Sequence, residues 1–492
     1  MVYSIRHRRA LSCLQKRLLY DNRRNEALLV IQPVVEQYQQ MAATDPAIFN
    51  VDYARSLYDY SSCLSHMGHR EEALDVIHQA VKLYKQLMTT NPAAFNTGLA
   101  RSLNSYSLRL SDMGCREEAL DVIHQAVEIY KQLATTNPAA FNADLAHSLD
   151  NYSICLSDMG CREEALDVIH QAVELYKQLA TTNPAAFNDD LACSLDNYSS
   201  HLSDMGCREE ALDVIHQAVE LYKHLATTNP AAFNDDLACS LDNYSSCLSD
   251  MGCREEALDV IHQAVELYKE LATTNPAAFN ADLAHSLSNY SLCLSDMGHR
   301  EKALDVIYQA VELYKQLAIT NPAAFNAGLA HSLNSYSLCL SDMGHQEEAL
   351  DVIHQAVELH KQLAITFPAA FNAELAGSLN KYSLRLSDMG HQEKALDVIY
   401  QAVELYKQLA ITNPAAFNAD LAGSLDNYSL RLSDMGRHEE ALDVIHQAVE
   451  LYKQLATTNP AAFNADLAQS LSNYTLCLSD IGHQKKSLDV SQ

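Results

Sequence analysis

Glycine and proline are scarce in this chain, and neither is scattered. Of 14 glycines in 492 residues, ten lie 46 residues apart, from Gly68 and Gly114 through Gly160 to Gly482. Ten of the 11 prolines keep the same interval, from Pro46 to Pro460. Positive charge is also short: 34 Lys and Arg face 63 Asp and Glu, a net charge of −29 and a pI near 5.0. A chain this acidic repels phosphate backbones and anionic lipid, which argues against nucleic acid and membrane surfaces as partners. A basic or neutral partner suits it better. No run of 18 apolar residues exists to span a bilayer, and the N-terminus lacks the apolar core of a secretory signal. Residues 1–24 are basic like a mitochondrial presequence, but they fall into the repeat frame described below. The 13 cysteines are odd in number and mostly recur at equivalent repeat positions rather than in pairs. That usage suits a reducing compartment and predicts a cytoplasmic protein.

What remains is one sentence written about ten times. A fixed 46-residue period signals stacked repeats. In one unit, Leu145, Leu149, Tyr152, Leu156 and Met159 fall on one face of a helix, helix A. Asn142 is a candidate N-cap preceded by apolar Phe141, and Gly160 ends the helix. Helix B follows at once. Glu163 and Glu164 lie in its first turn, and Ala165, Ile169, Ala172, Tyr176 and Leu179 form its stripe. Leu166, Val168, Val173 and Leu175 widen the apolar surface, so helix B needs cover on two sides. Asn183-Pro184 then breaks the chain. The expected fold is all-α: about eleven antiparallel helix hairpins stacked as an α-solenoid.

The frame extends to both ends. Leu11, Leu14, Leu18, Asn22, Ala27 and Ile31 occupy equivalent positions near the start, with Pro33 expected to kink the first helix B. Near the end, a helix B of nine or so residues after Gly482 carries Ser487 and Ser491 in place of alanine and isoleucine. The predicted organisation is a degenerate repeat over 1–50, nine regular repeats over 51–463, and a partial repeat or cap over 464–492.

Leu149, Tyr152, Ser153, Leu156, Gly160, Ala165, Ile169 and Ala172 match the spacing of the tetratricopeptide-repeat (TPR) signature. The proline falls seven residues late, at Pro184, and the unit is 46 residues rather than the usual 34 or so. In this it resembles kinesin light chains, and the long-period arrays of fungal and bacterial signalling proteins still more, with a longer helix B and linker. The resemblance implies a right-handed superhelix whose concave face, lined by helix A, holds partner peptides.

Chemistry is hard to find. No GxxxxGK[ST] loop exists. Cys155/Cys161 and Cys247/Cys253 are spaced C-x5-C, which is not a zinc spacing. Position 155 reads Arg109, His201, Arg385 and Arg431 in other copies, which suggests a half-exposed surface site. His147, Ser148 and Asp150 are close in sequence but point in different directions on a helix. No enzyme, metal or cofactor is expected. Tyr308 and Tyr400 replace the histidines equivalent to His170, which suggests an amphipathic hairpin edge.

By the family's geometry, positions equivalent to His147, Asp150, Asn151 and Ile154 look into the groove. Position 147 varies most among copies, while core positions barely change. Position 151 is asparagine six times: Asn151, Asn197, Asn243, Asn289, Asn427 and Asn473. A primary amide both donates and accepts, so such a ladder suits an extended peptide backbone. Asp150, Asp196 and Asp242 beside it make the groove acidic and repel carboxylates. The leading expectation is a non-enzymatic scaffold that binds a protein or an extended peptide, basic or neutral. The alternative is a regulatory or oligomerising array beside a STAND-type signalling NTPase. An inert product of recent duplication is a third reading. Homo-oligomers fit any of these.

Overall fold

The protein is seen here as a computed structural model that describes residue 11, residues 14–18 and residues 23–490. Each regular unit is two helices, of equal length in every unit but the first, where helix B has 19 residues to helix A's 21. Helix A runs Pro138–Asp158 and helix B runs Arg162–Thr182, 21 residues each. Three residues join A to B, and Asn183 alone joins B to the next helix A, which starts at Pro184.

Proline sets the start of helix A. Its fixed φ suits the first helical position, and its missing N–H has no partner there anyway. Asn137 before it is driven to φ −146° and ψ 77°. The N-cap is therefore Asn137, not Asn142, which lies inside the helix. The link between units is one residue, so the extra length of the repeat sits in the helices and not in a linker. At the other end Gly160 adopts φ +74°. Its N–H donates to Ser157 O (2.8 Å) and Cys161 N–H donates to Leu156 O (2.9 Å), closing the helix in the way glycine favours.

Packing follows the stripes. Leu145, Leu149 and Leu156 of helix A and Ala165, Ile169, Ala172 and Tyr176 of helix B are buried, with both alanines fully enclosed where the helices cross. One cluster joins Val127 and Tyr130 of the preceding unit to Leu149, Ala165 and Ile169. No hairpin closes its own core, so stability is shared between neighbours. Successive A helices also touch each other, which places helix A on the inner, tighter side of the curve. Between units on the outer side, His170 meets Tyr198 edge-on at 5.9 Å, and Tyr308 meets Tyr336 at 6.1 Å.

The curve closes on itself. The turn at Gly160 touches Ala415 and Ala416, about five and a half units along the chain. The same contact joins Gly68 to Ala323 and Ala324, Gly114 to Ala369, and Gly206 to Ala461. Asn321 Nδ2 donates to Met67 O (2.9 Å), and Asn413 Nδ2 donates to Asp158 O (3.3 Å). Arg70, Arg116 and Arg162 lie over the rings of Phe371, Phe417 and Phe463 at 5.0–5.7 Å. Phe371, Phe417 and Phe463 are buried, while Phe95, Phe141 and Phe187 at equivalent positions are half-buried.

The ends depart from expectation. Leu18, Ala27 and Ile31 are buried as the frame predicts, whereas Leu14 is exposed and Asn22 lies outside the described residues. Helix Arg24–Thr44 runs through Pro33 without a break, held by its packed apolar face. At the far end, Pro460–Val490 is one continuous helix of 31 residues, so Gly482 makes no turn and the short helix B does not fold back.

Candidate functional site: the inner face of helix A

Helix A presents residues of positions 147–151 on the inner side, and the structure sorts them by depth. His147 is exposed, as are Asn243 and Asn427. Asn197, Asn289 and Asp196 are half-buried; Asn151, Asn473, Asp150 and Asp242 are buried. Three of the six amides pair one turn back on their own helix. Asn151 Nδ2 lies 3.3 Å from His147 Nε2, Asn289 Nδ2 lies 3.3 Å from His285 Nε2, and Gln469 Nε2 donates to Asn473 Oδ1 at 3.2 Å.

The aspartates are tied into the wall. Ser194 Oγ donates to Asp150 (2.7 Å), Ser240 Oγ to Asp196 (2.8 Å), Ser286 Oγ to Asp242 (3.2 Å) and Ser470 Oγ to Asp426 (2.9 Å). Where asparagine or serine replaces aspartate, the bond persists: Asn104 to Ser148 (2.8 Å), Ser288 with Ser332 (3.0 Å), Asn334 to Ser378 (2.9 Å) and Asn380 to Ser424 (2.7 Å). From the helix A at Pro92–Asp112 onward, an unbroken spine of eight polar contacts therefore links each helix A to the next. Sequence reasoning missed this spine. Its signal was present in the serine that stands at the Ser148 position in all ten copies, while its partner changes only among Asp, Asn and Ser from Asn104 onward.

Burial pushes the Asp150, Asp196 and Asp242 carboxyls up to about 7, against the opposing pull of the serine hydroxyls. Asp236 rises to about 6 through burial and then through the neighbouring Asp189 and Asp235. Exposed groups shift too. Loss of hydration lowers His147 and Lys381 and raises Asp190, although all three reach solvent. Both facts hold at once in a concave wall, where water touches the group but protein surrounds it. Charge along this wall changes sign: Arg55 and Arg101 precede Asp144, Asp189, Asp190, Asp235 and Asp236, and Lys381 follows.

Position 155 is corrected by the structure. Arg109 and Arg431 are half-buried as expected, but Cys155, His201 and Arg385 are buried. Each reaches a serine of the preceding unit: Cys155 Sγ lies 3.8 Å from Ser111 Oγ, His201 Nε2 lies 3.1 Å from Ser153 Oγ, and Arg385 Nη1 donates to Ser341 Oγ at 2.5 Å. Serine accepts from, or donates to, all three, which explains their exchange. Arg109, Arg385 and Arg431 also pair with Asp112, Asp388 and Asp434 at 2.8–2.9 Å, which gives the recurrent acid at the end of helix A a partner. Ser148 and Asp150 are engaged with Asn104 and Ser194, so no triad with His147 forms. Among the described residues, no group of three or more His, Cys, Asp or Glu is placed to hold a metal ion, and no helix is long and apolar enough to cross a membrane.

Hairpins stacked through shared cores, with an inner helix row and an outer one, define a superhelical α-solenoid. The chain is an array of tetratricopeptide-like repeats. A profile described as Tetratricopeptide repeat matches residues 421–456. One described as Anaphase-promoting complex subunit 5 matches 7–95, 95–142, 142–198, 185–243, 227–288 and 323–364. No curated protein matches the chain. Among solved structures, the apo form of RapI is 12% identical, covers 82% of this chain and 99% of its own, and superposes with a TM-score of 0.50. BtubC (BKLC) from P. vanneervenii is 16% identical over 50% of this chain and 92% of its own, with a TM-score of 0.41. A Podospora anserina protein described as a kinesin light chain with nearly identical TPR-like repeats is 15% identical over 45% of this chain and 95% of its own, with a TM-score of 0.34. At these identities the likeness concerns the fold.

Proposed function

We propose that the array is a non-enzymatic scaffold that takes an extended basic or neutral peptide along the inner face of helix A. The observation that carries this reading is the contrast between two adjacent positions. Ser148 is the same residue in every copy and is spent on the wall, whereas position 147, exposed one residue earlier, runs through Arg101, His147, Cys193, His285 and Gln469. A solvent-facing row free of packing duty can specialise for a ligand. Asn243 and Asn427 are exposed amides that can pair with a peptide backbone, and Asp189, Asp190, Asp235 and Asp236 favour cationic side chains. Weak contacts repeated in successive units add along one ligand.

The contact between successive turns bears on access, because it walls the inner face from the side along residues 67–206. A peptide then enters from an end, or the turns part. The test is fluorescence-anisotropy titration with arginine-rich and glutamate-rich peptides of equal length. Tighter binding of the arginine-rich peptide, weakened when Asn151, Asn197 and Asn243 become alanine together, is the expected result. Equal affinity for both peptides removes the acidic-groove reading, and an unchanged triple variant removes the amide ladder.

A further inference from the structure

We propose that a cavity on the inner face, floored by Tyr84 and Gly98 and rimmed by Arg55 and Arg101, binds a small organic acid, with its carboxylate between the two guanidiniums and its apolar body against the aromatic rings below. The cavity lies between the A helices Pro46–His66 and Pro92–Asp112 and measures about 260 Å³. At roughly 30 Å³ per water, that is room for about eight or nine waters, or for one ring with a short acidic chain. Tyr84 is buried, whereas Lys16, Arg55 and Arg101 are exposed, so the ring lies at the floor and the cations at the mouth. Tyr58 and Phe95, both half-buried, complete the apolar walls.

Two departures from the repeat meet here. The acid held at Asp52, Asp144, Asp190, Asp236 and Asp282 gives way to Gly98. A Cβ there would stand 2.4 Å from Cε1 of Tyr84, so the ring could not hold this position beside any other residue, and no carboxylate faces the cations from that side. The exposed row at position 147 is arginine only in Arg55 and Arg101, in adjacent units. Burial raises the Tyr84 phenol while both arginines pull it down, as groups facing one space should. Arg55 stands 3.8 Å from Asp52 and Arg101 3.9 Å from Asp144, beyond hydrogen-bond reach. Arg101 also reaches Tyr130, which still leaves donors of its fork for a ligand. Asp59 is buried and its charge is met by Lys16 at 3.3 Å, so the two guanidiniums set the sign of the site. A planar carboxylate matches an arginine fork, and the apolar walls favour an acid with an apolar body over a bare inorganic ion. Gly328 repeats the missing acid, but the residues at the exposed row there are His285 and His331, whose charged forms burial disfavours.

Isothermal calorimetry on the full chain with phenylacetate, benzylamine and inorganic phosphate tests this. The expected result is saturable binding of one phenylacetate per chain, none of benzylamine, and phosphate weaker than phenylacetate by roughly tenfold. Arg55→Gln with Arg101→Gln should weaken phenylacetate by roughly tenfold or more. Both side chains are exposed, so the far-ultraviolet circular dichroism of that variant should stay constant. Gly98→Asp restores the residue of Asp144 and should also remove binding, by crowding the floor and adding a negative charge. An absence of saturable phenylacetate binding overturns the proposal. So does benzylamine binding as tightly, or phenylacetate binding that the double arginine variant leaves intact. Phosphate as tight as phenylacetate overturns it too, because a charged patch without an apolar cavity would explain it. The site uses none of Asn151, Asn197 and Asn243, so the peptide titration and this one fail or succeed separately.

Discussion

Arg116 sits 5.3 Å above the ring of Phe417, although 301 residues separate them in the chain. Nothing local connects the two. The contact exists because small rotations between hairpins accumulate until one turn of the superhelix meets the next.

Removing that seam should open the molecule without unfolding it. Replacing Arg70, Arg116 and Arg162 with glutamine together deletes four cation–ring contacts, Arg70 lying over both Phe367 and Phe371, each about 0.5–2 kcal/mol. The radius of gyration from scattering should rise while the far-ultraviolet circular dichroism stays constant. Unchanged dimensions would show that the backbone contacts of Asn321 and Asn413 hold the turns together without the arginines.

Glycine substitutions separate local strain from the seam. Both Gly160 and Gly252 have positive φ, so alanine at either costs on the order of 1–2 kcal/mol. At Gly160 the added Cβ also falls 2.5 Å from Ala415 C, whereas at Gly252 it meets nothing. Gly160→Ala should therefore lower the melting midpoint more than Gly252→Ala. Equal midpoints would mean that the turns are apart in solution.

The buried aspartates make a signed prediction. A carboxyl that titrates near 3.9 in the unfolded chain and near 7 in the native one holds more protons when folded between those values. Its stabilising contribution is full below about pH 4 and is lost as pH rises through 7. Changing Asp150, Asp196 and Asp242 to asparagine, the residue found at Asn104, Asn334 and Asn380, should raise stability at pH 8 by on the order of 1 kcal/mol per site. The gain should shrink toward pH 4. Comparing variant with wild type by urea midpoints isolates these carboxyls from His147 and His360, whose lowered values act with the opposite sign. A gain independent of pH would show that the carboxyls are not shifted.

Core truncation should be felt beyond its own unit. Ile169 is fully buried, and Ile169→Ala removes packing worth about 2–5 kcal/mol. Because helix B covers two A helices, hydrogen exchange should rise in the units on both sides. Exchange confined to residues 138–182 would contradict shared cores.

The sequence by itself determined the hairpin. A 3.6-residue apolar period, proline at one end and glycine at the other act within a few residues, so the two helices, the enclosed Ala165 and Ala172, and their stacking were legible before any coordinates. Where prediction slipped, a local rule was misapplied: proline at the first helical position outranks Asn142 as the start signal. Only the tertiary structure decided which polar residues of helix A reach solvent and which brace the wall. Asp150 and His147 lie three residues apart on one helix, and the difference is whether Ser194 of the next unit is within reach. It alone also decided that the solenoid closes on itself. Every repeat carries nearly the same residues, so no pattern in them marks a partner five and a half units away; that distance is set by a rotation per hairpin that side-chain packing fixes and residue type does not announce.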